Sequence, residues 1–449
     1  MSTSPPIPAK FTQGSILRHV LTMSAAGCAG LVAVFFVDVL NLFYISQLGH
    51  KELAAAVGYA GTILFFLASL SIGLSIAASA LTSRALGRGD WQQAKLLAGT
   101  AIVFTLVLMS LTAILAYPFL AYFLSLLGAK GETAQLALRF THMVLPSVPL
   151  IGIGMCVSAL IRAKGDAKNA MLITLMAGFT TAVLDPLFIF GFGWGLDGAA
   201  YSTILARIVM VSVGLTFLIK VHGLFAWPSW QLSIQNIKPY FIIAFPAVLT
   251  QIATPVGNAF TTAAIGPYGD DAVAGWAVIT RIIPVAFVGL FALSGSVGPI
   301  LGQNLGAGLL HRIKATMNYS FLVVLVYVLV VWLLLASLAS FIAHSFGATG
   351  LSYEMILFFC YFVAGSFMFN GAIFVANAGF NNLGYPFYST LLNWGRSTLG
   401  VIPFIYLGGQ WFGIYGILAG YGLGLVGFGC IAIWLMNRVL KQLKIKSVF

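Results

Sequence analysis

Five ionisable side chains sit inside long apolar stretches of this chain: Asp38, Asp185, Arg207, Arg281 and Arg396. A charge within hydrocarbon is costly, so such residues pair with one another, line a watery cavity, or carry ions and protons. Asp38 lies in AVFFVDVLNLF and Asp185 in TAVLDPLFIF. Each stands about eight residues from one end of its apolar run, or about 12 Å of helix. Two carboxylates at one depth can share a polar pocket, take up a cation or proton on one side and release it on the other. The plainer alternative is a carboxylate fixed to an arginine or to unwound backbone.

The surroundings of the two acids leave further choices open. Asn41 follows Asp38 by three residues and shares its helix face, where it lines the same pocket or bonds a neighbouring helix. Pro186 removes a backbone donor beside Asp185. Thr181, one turn earlier, offers its hydroxyl to the freed carbonyl, to the carboxylate, or to its own helix. Arg281, in AVITRIIPVAF, lines a cavity, pairs with an acid, or snorkels. Arg207 and Arg396 lie nearer mid-run and read as structural. Gln251, Thr254 and Asn258 share a stretch with Pro246 and Pro255, and they face either a substrate or neighbouring helices; Asn370 has the same two options.

Other chemistry is missing from the sequence. There is no HExxH, CxxC or Walker A pattern, and Cys28, Cys156, Cys360 and Cys430 lie far apart in apolar surroundings. No cofactor or bound metal is expected; the coupling ion would be H+ or Na+. The glycines at 422, 424 and 427 fit a dinucleotide pattern, but inside an apolar run they read as close helix packing.

These residues must be positioned by helices. The chain has 449 residues, of which 60% are hydrophobic and 7% charged, with a mean hydropathy of +1.01. Soluble domains carry about 25% charged residues. A soluble enzyme, a disordered chain, a secreted disulfide scaffold and a nucleic-acid-binding domain are therefore excluded. The expected fold is an all-α polytopic membrane protein in a lipid bilayer. Twelve spans are expected, at 16–45, 56–82, 96–123, 140–161, 170–192, 199–220, 240–265, 273–302, 318–345, 354–378, 387–407 and 412–437. The runs are too long for barrel strands and lack two-residue alternation. With both termini in the cytoplasm, sixteen Lys and Arg fall inside and three, Lys51, Lys130 and Arg139, outside. That bias accounts for the net charge of +12 without an acidic partner.

The two halves repeat. Gly49-x-x-x-Leu53-Ala54 matches Gly269-x-x-x-Val273-Ala274, Leu86-Gly87-x-Gly89 matches Leu305-Gly306-x-Gly308, and Gly195-Leu196-x-Gly198 matches Gly413-Ile414-x-Gly416. The offsets are 220, 219 and 218 residues. Six spans per half is an even number, so the halves insert with one polarity, as two parallel six-helix bundles with pseudo-two-fold symmetry. The expected organisation is an N-terminal lobe at 1–222 carrying the acids, a cytoplasmic linker at 223–239 and a C-terminal lobe at 240–449. Such duplication suits a carrier working by alternating access. Neither acid has a copy in the second half.

Over nearly its full length the chain resembles multidrug and toxic compound extrusion (MATE) transporters. The matching stretches are Val37-Asp38 through QLGHKELAAAVG, RALGRGDWQQAK, ALIRAKGDAKNAM, LDPLFIFGFGWGLDGAA and PILGQNLGAG. The resemblance implies two six-helix bundles around a cavity. It also implies antiport of small organic, often cationic, molecules against protons or sodium in a bacterial inner membrane. The family's coupling acids match Asp38 and Asp185, and its span 6 threonine matches Thr203. Thr181 stands where an asparagine is frequent, Phe140 where a tyrosine is, and span 1 lacks the usual proline, leaving Gly27 and Gly30 as flex points. No acid occupies span 7, and Asn370 takes the acid's place on span 10. These departures favour proton coupling through Asp38, Asp185, Thr181 and Thr203, with Asn41, Gln251, Asn258, Arg281 and Asn370 on the substrate cavity. The exporter is expected to be a monomer. The alternatives are a sodium-coupled exporter and a lipid-linked precursor flippase.

Overall fold

The computed structural model describes residues 9–46, 48 and 51–446, and among these there is no β-strand. The first unit of the fold is built mainly from α1 (Ile16–Ser46), α2 (Lys51–Gly87), α3 (Trp91–Ala116), α4 (Leu120–Leu126), α5 (Gly131–Val144), α6 (Val148–Lys164), α7 (Ala167–Pro186) and α8 (Gly195–Thr216). There follow α9 (Trp230–Ile265), α10 (Asp270–Ala286), α11 (Val288–Gly306), α12 (Leu310–Ser345), α13 (Gly350–Phe358), α14 (Phe367–Leu383), α15 (Pro386–Ser397) and α16 (Ile402–Lys446).

Proline decides where spans break. Pro118 and Pro146 each sit in a short tight turn, joining α3 to α4 and α5 to α6 within continuous apolar runs. Ten helical runs among the described residues are long and apolar enough to cross a bilayer. One of them, Pro386–Leu443, is 58 residues long and turns at Phe412 and Gly413, so it makes two crossings. The pair α10 and α11, bent by 44°, makes one more. The result is the expected twelve-span all-α fold.

The repeated glycines have matched backbone roles. Gly89 and its counterpart Gly308 have φ of +78° and +71°, and Gly195 and Gly413 have φ of +52° and +57°. That left-handed region is open to glycine and strained for other residues. The duplication read from the sequence is thus also a duplication of turns. Gly49, the first residue of the remaining motif, lies outside the described residues.

The chain divides into two compact units. One holds Ala29–Val248 with the segment ending at Lys10; the other holds Phe11–Cys28 and Leu249–Phe449. The division passes through α1 and α9. In the first unit, α2 and α6 pack closely, with Ala77 and Ala80 buried on α2 and a Cβ on Gly152 of α6 placed 3.4 Å from Ser71 Oγ, as expected where helices associate in lipid. The segment after α8 lies along α3, with the Ala226 N–H donating to the Lys95 carbonyl at 3.2 Å. The Tyr240 hydroxyl of α9 donates to the Leu74 carbonyl at 2.9 Å. In the second unit α14 is the core helix and is buried along nearly its whole length. On α12, Leu322, Leu325, Val326, Leu329, Val330 and Leu333 are all exposed. They recur at helical spacing, which makes one continuous apolar face suited to lipid.

Candidate functional site

Helices α1 and α7 of the first unit run parallel. A Cβ on Gly30 would contact Met171, and one on Gly178 would lie 3.2 Å from Val37. One turn further along α1 and two along α7, Asn41 meets Asp185. The Asn41 side-chain amide donates to Asp185 Oδ2 at 3.0 Å. Asp185 is 1% exposed, and its Oδ1 has no hydrogen-bond partner among the described residues. No cationic side chain among them pairs with it, so the carboxyl is half satisfied.

Local sequence explains this placement. Pro186 cannot donate to the helix, and the chain widens after it into one π-helical turn over Leu187–Gly191. Gly198 on α8 lies against that turn; a Cβ there would be 2.8 Å from the Phe188 carbonyl oxygen. One helical turn beyond Gly198, the buried Ser202 stands beside the Asp185 carboxyl, and its hydroxyl has no other partner among the described residues. Sequence reasoning chose Thr203 and missed Ser202; the one-turn spacing from a packed glycine was the available signal. The Thr203 hydroxyl donates to the Ala199 carbonyl at 2.9 Å and the Thr181 hydroxyl to Ala177 at 3.2 Å, each within its own helix. Asp38 lies on α1, and its side chain is outside the described residues.

The second unit has an equivalent helix pair, α9 with α15. Here the charge is positive. Arg396 of α15, 6% exposed, donates from Nη1 to Asn370 Oδ1 at 2.6 Å and from Nη2 to Thr254 Oγ1 at 2.8 Å. Trp394 Nε1 donates to the Leu249 carbonyl at 3.0 Å, and Gly257 packs on Ser397, which fixes the register. Gln251 and Asn258 are half-buried on the same face of α9 as Thr254, and neither side chain forms a hydrogen bond among the described residues.

The remaining arginines separate. Arg207 is buried and donates to Ser147 Oγ at 2.8 Å and to the Val144 carbonyl at 3.4 Å, where Pro146 breaks the run. It braces a helix break. Arg281 is exposed on α10 and has no ion pair among the described residues. An open cavity of about 710 Å³, lined by Phe188, Trp194, Asp197 and Tyr201, lies beyond the π turn. Its carboxylate, Asp197, is taken by Arg139, so it offers less to a cation than Asp185 does.

A family model described as MatE matches residues 28–187 and 246–407. The chain is 27% identical to the FAD transporter of Shewanella oneidensis, over 95% of this chain and 96% of that one. It is 27% identical to the probable multidrug resistance protein YpnP of Bacillus subtilis, over 94% and 95%. Among solved structures, the Vibrio cholerae MATE transporter VcmN in the bent form aligns with a TM-score of 0.90 at 25% identity, covering 96% of this chain and 98% of that one. With both halves matched by the family model, the chain belongs to the MatE family: it is a multi-pass membrane transporter of the multidrug efflux class, handling small molecules, and not an enzyme.

Proposed function

We propose that the protein exports organic, chiefly cationic, compounds in exchange for protons, with the first unit handling the proton. The observation that carries this reading is the buried Asp185, whose one oxygen is held by Asn41 while the other has no partner among the described residues. Such a carboxyl accommodates a proton or a small cation without dismantling an ion pair. Asp38, on the parallel helix, is its partner acid in this reading. The excess of Lys and Arg on one side supports an inner-membrane protein with both termini in the cytoplasm, and we take the working unit to be the monomer.

The test is transport in proteoliposomes under an imposed pH gradient or an imposed sodium gradient, for wild type and Asp38→Asn. Ethidium is the cationic probe. Flavin adenine dinucleotide is the second probe, because the Shewanella relative is named for it. Drive by the pH gradient alone, lost in the variant, supports the proposal. Drive by sodium alone overturns the coupling ion and keeps the exporter. Movement of neither probe under either gradient favours the flippase reading.

A further inference from the structure

The second unit contains three carboxylates, Asp270, Asp271 and Glu354. Asp270 and Asp271 open α10, where Asp271 accepts from the Ser352 N–H at 3.1 Å. Glu354 lies near the start of the apolar run Gly350–Leu383 and accepts from the Tyr415 hydroxyl. Asn370 lies sixteen residues further along that run, about 24 Å by helical rise. Among the described residues, no acid of this unit pairs with Arg396, whose hydrogen-bond partners, Asn370 and Thr254, are both neutral. A buried charge without a counter-charge is costly, and neutral hydrogen bonds offset that cost only in part. A guanidinium has five N–H donors, and two are used by described residues. The cation is also close to an open face. Thr254 is exposed, and Gln251 and Asn258 extend the same polar stripe along α9 at helical spacing.

We propose that Arg396, with Asn370 and the Thr254 stripe, is an oxyanion site in the second unit that receives the carboxylate or phosphate group of an organic solute. The proposal rests on the export reading and deepens it, extending the solutes from simple cations to organic zwitterions and acids. Arginine suits the role because its planar fork matches a two-oxygen anion and keeps its charge at any working pH. Asn370 holds one arm of the fork and Thr254 the other, which leaves the guanidinium pre-oriented.

The experiment uses the full chain in nanodiscs of zwitterionic lipid and a matched pair of probes: a rhodamine with a free carboxylate and its ethyl ester. Binding is read by fluorescence anisotropy. Wild type should take the acid about tenfold more tightly than the ester or better. Arg396→Lys should keep part of that preference, and Arg396→Gln should bring the ratio to about one. Asn370→Asp supplies an internal carboxylate at the position that already touches the guanidinium. It gives Arg396 a counter-ion and so guards against misfolding, and it too should abolish the preference.

An acid-to-ester ratio of about one in wild type, or binding of neither dye, overturns the proposal. So does a preference that survives Asn370→Asp. Loss of acid binding in nanodiscs containing phosphatidylglycerol, but not in zwitterionic lipid, would reassign the site to a lipid headgroup. Gradient-driven efflux of the ester is measured alongside. Its persistence would leave the export reading standing if the anion site fails.

Discussion

The side-chain amide of Asn41 and the carboxyl of Asp185, 144 residues apart in sequence, meet at 3.0 Å inside the first unit. Only one carboxyl oxygen is engaged, so the pair orients the acid without neutralising it. Asp185→Asn, nearly identical in shape, should abolish gradient-driven ethidium efflux while leaving thermal unfolding of the purified protein within a few degrees of wild type. Asn41→Ala should reduce efflux by about tenfold, the scale of one hydrogen bond to a charged group. Equal losses of efflux and of folded protein in Asp185→Asn would make the acid a structural residue.

The hydroxyls near this carboxyl should differ in importance. Thr181 and Thr203 each donate within their own helices, so Thr181→Val and Thr203→Val should hold transport within about twofold of wild type, since a back-bonded hydroxyl adds little to a helix. Ser202→Ala should lower it several-fold. Initial efflux rates for the three variants, side by side, test this order; a Thr203→Val defect larger than that of Ser202→Ala would refute it.

Among the three glycines of the apparent dinucleotide pattern, one is required for packing. A Cβ on Gly424 would lie 1.8 Å from the Gly400 carbonyl oxygen, whereas one on Gly427 would meet nothing within 4 Å. Backbone cannot move aside as a flexible side chain can. Gly424→Ala should destabilise by at least about 2 kcal/mol, as expected for overpacking, and Gly427→Ala should be neutral or stabilise by up to about 1 kcal/mol through helix propensity. Thermal unfolding in detergent distinguishes them.

A pH effect should arise outside the spans. His222 lies just past α8, where its carbonyl accepts from Lys164 Nζ at 3.0 Å and its Nε2 lies 3.1 Å from Asp166 Oδ2. Burial, followed by the nearby Lys164, holds the imidazole below its ordinary value of 6.5, against the opposing influence of Asp166. The unfolded chain then takes up the proton before the folded one does. This contribution is complete above pH 6.5 and declines as pH falls from 6.5 toward the depressed value. Melting temperatures across that range should fall less steeply for His222→Gln and more steeply for Asp166→Asn.

The span pattern, the duplication and the intramembrane ions were legible because each leaves a local mark: hydropathy, a repeated glycine turn, or a charge among apolar residues. The partners were not. Asn41 and Asp185 meet through the register of two parallel helices, and that register is set by packing at Gly30 and Gly178. Ser202 and Thr203 are adjacent in sequence and a helix turns about 100° between them, so a slip of one residue exchanges the site for the back-bonded face. Arg396 reads as structural from its position near mid-run, and only the fold shows that its hydrogen-bond partners among the described residues are neutral.

The assignment of Phe11–Cys28 to the second unit has a consequence for biogenesis. The Phe11 N–H donates to Gln303 at 2.8 Å, Arg312 holds the carbonyls of Phe11, Gln13 and Gly14, and Gly27 packs on Ala292. A ribosome must add roughly 220 more residues before the second unit begins, which takes about 10–45 s at common elongation rates. During that interval the first part of α1 is in the bilayer without its partners. The first half should therefore be a substrate for membrane quality control when expressed alone and persist when the second half is supplied from another message.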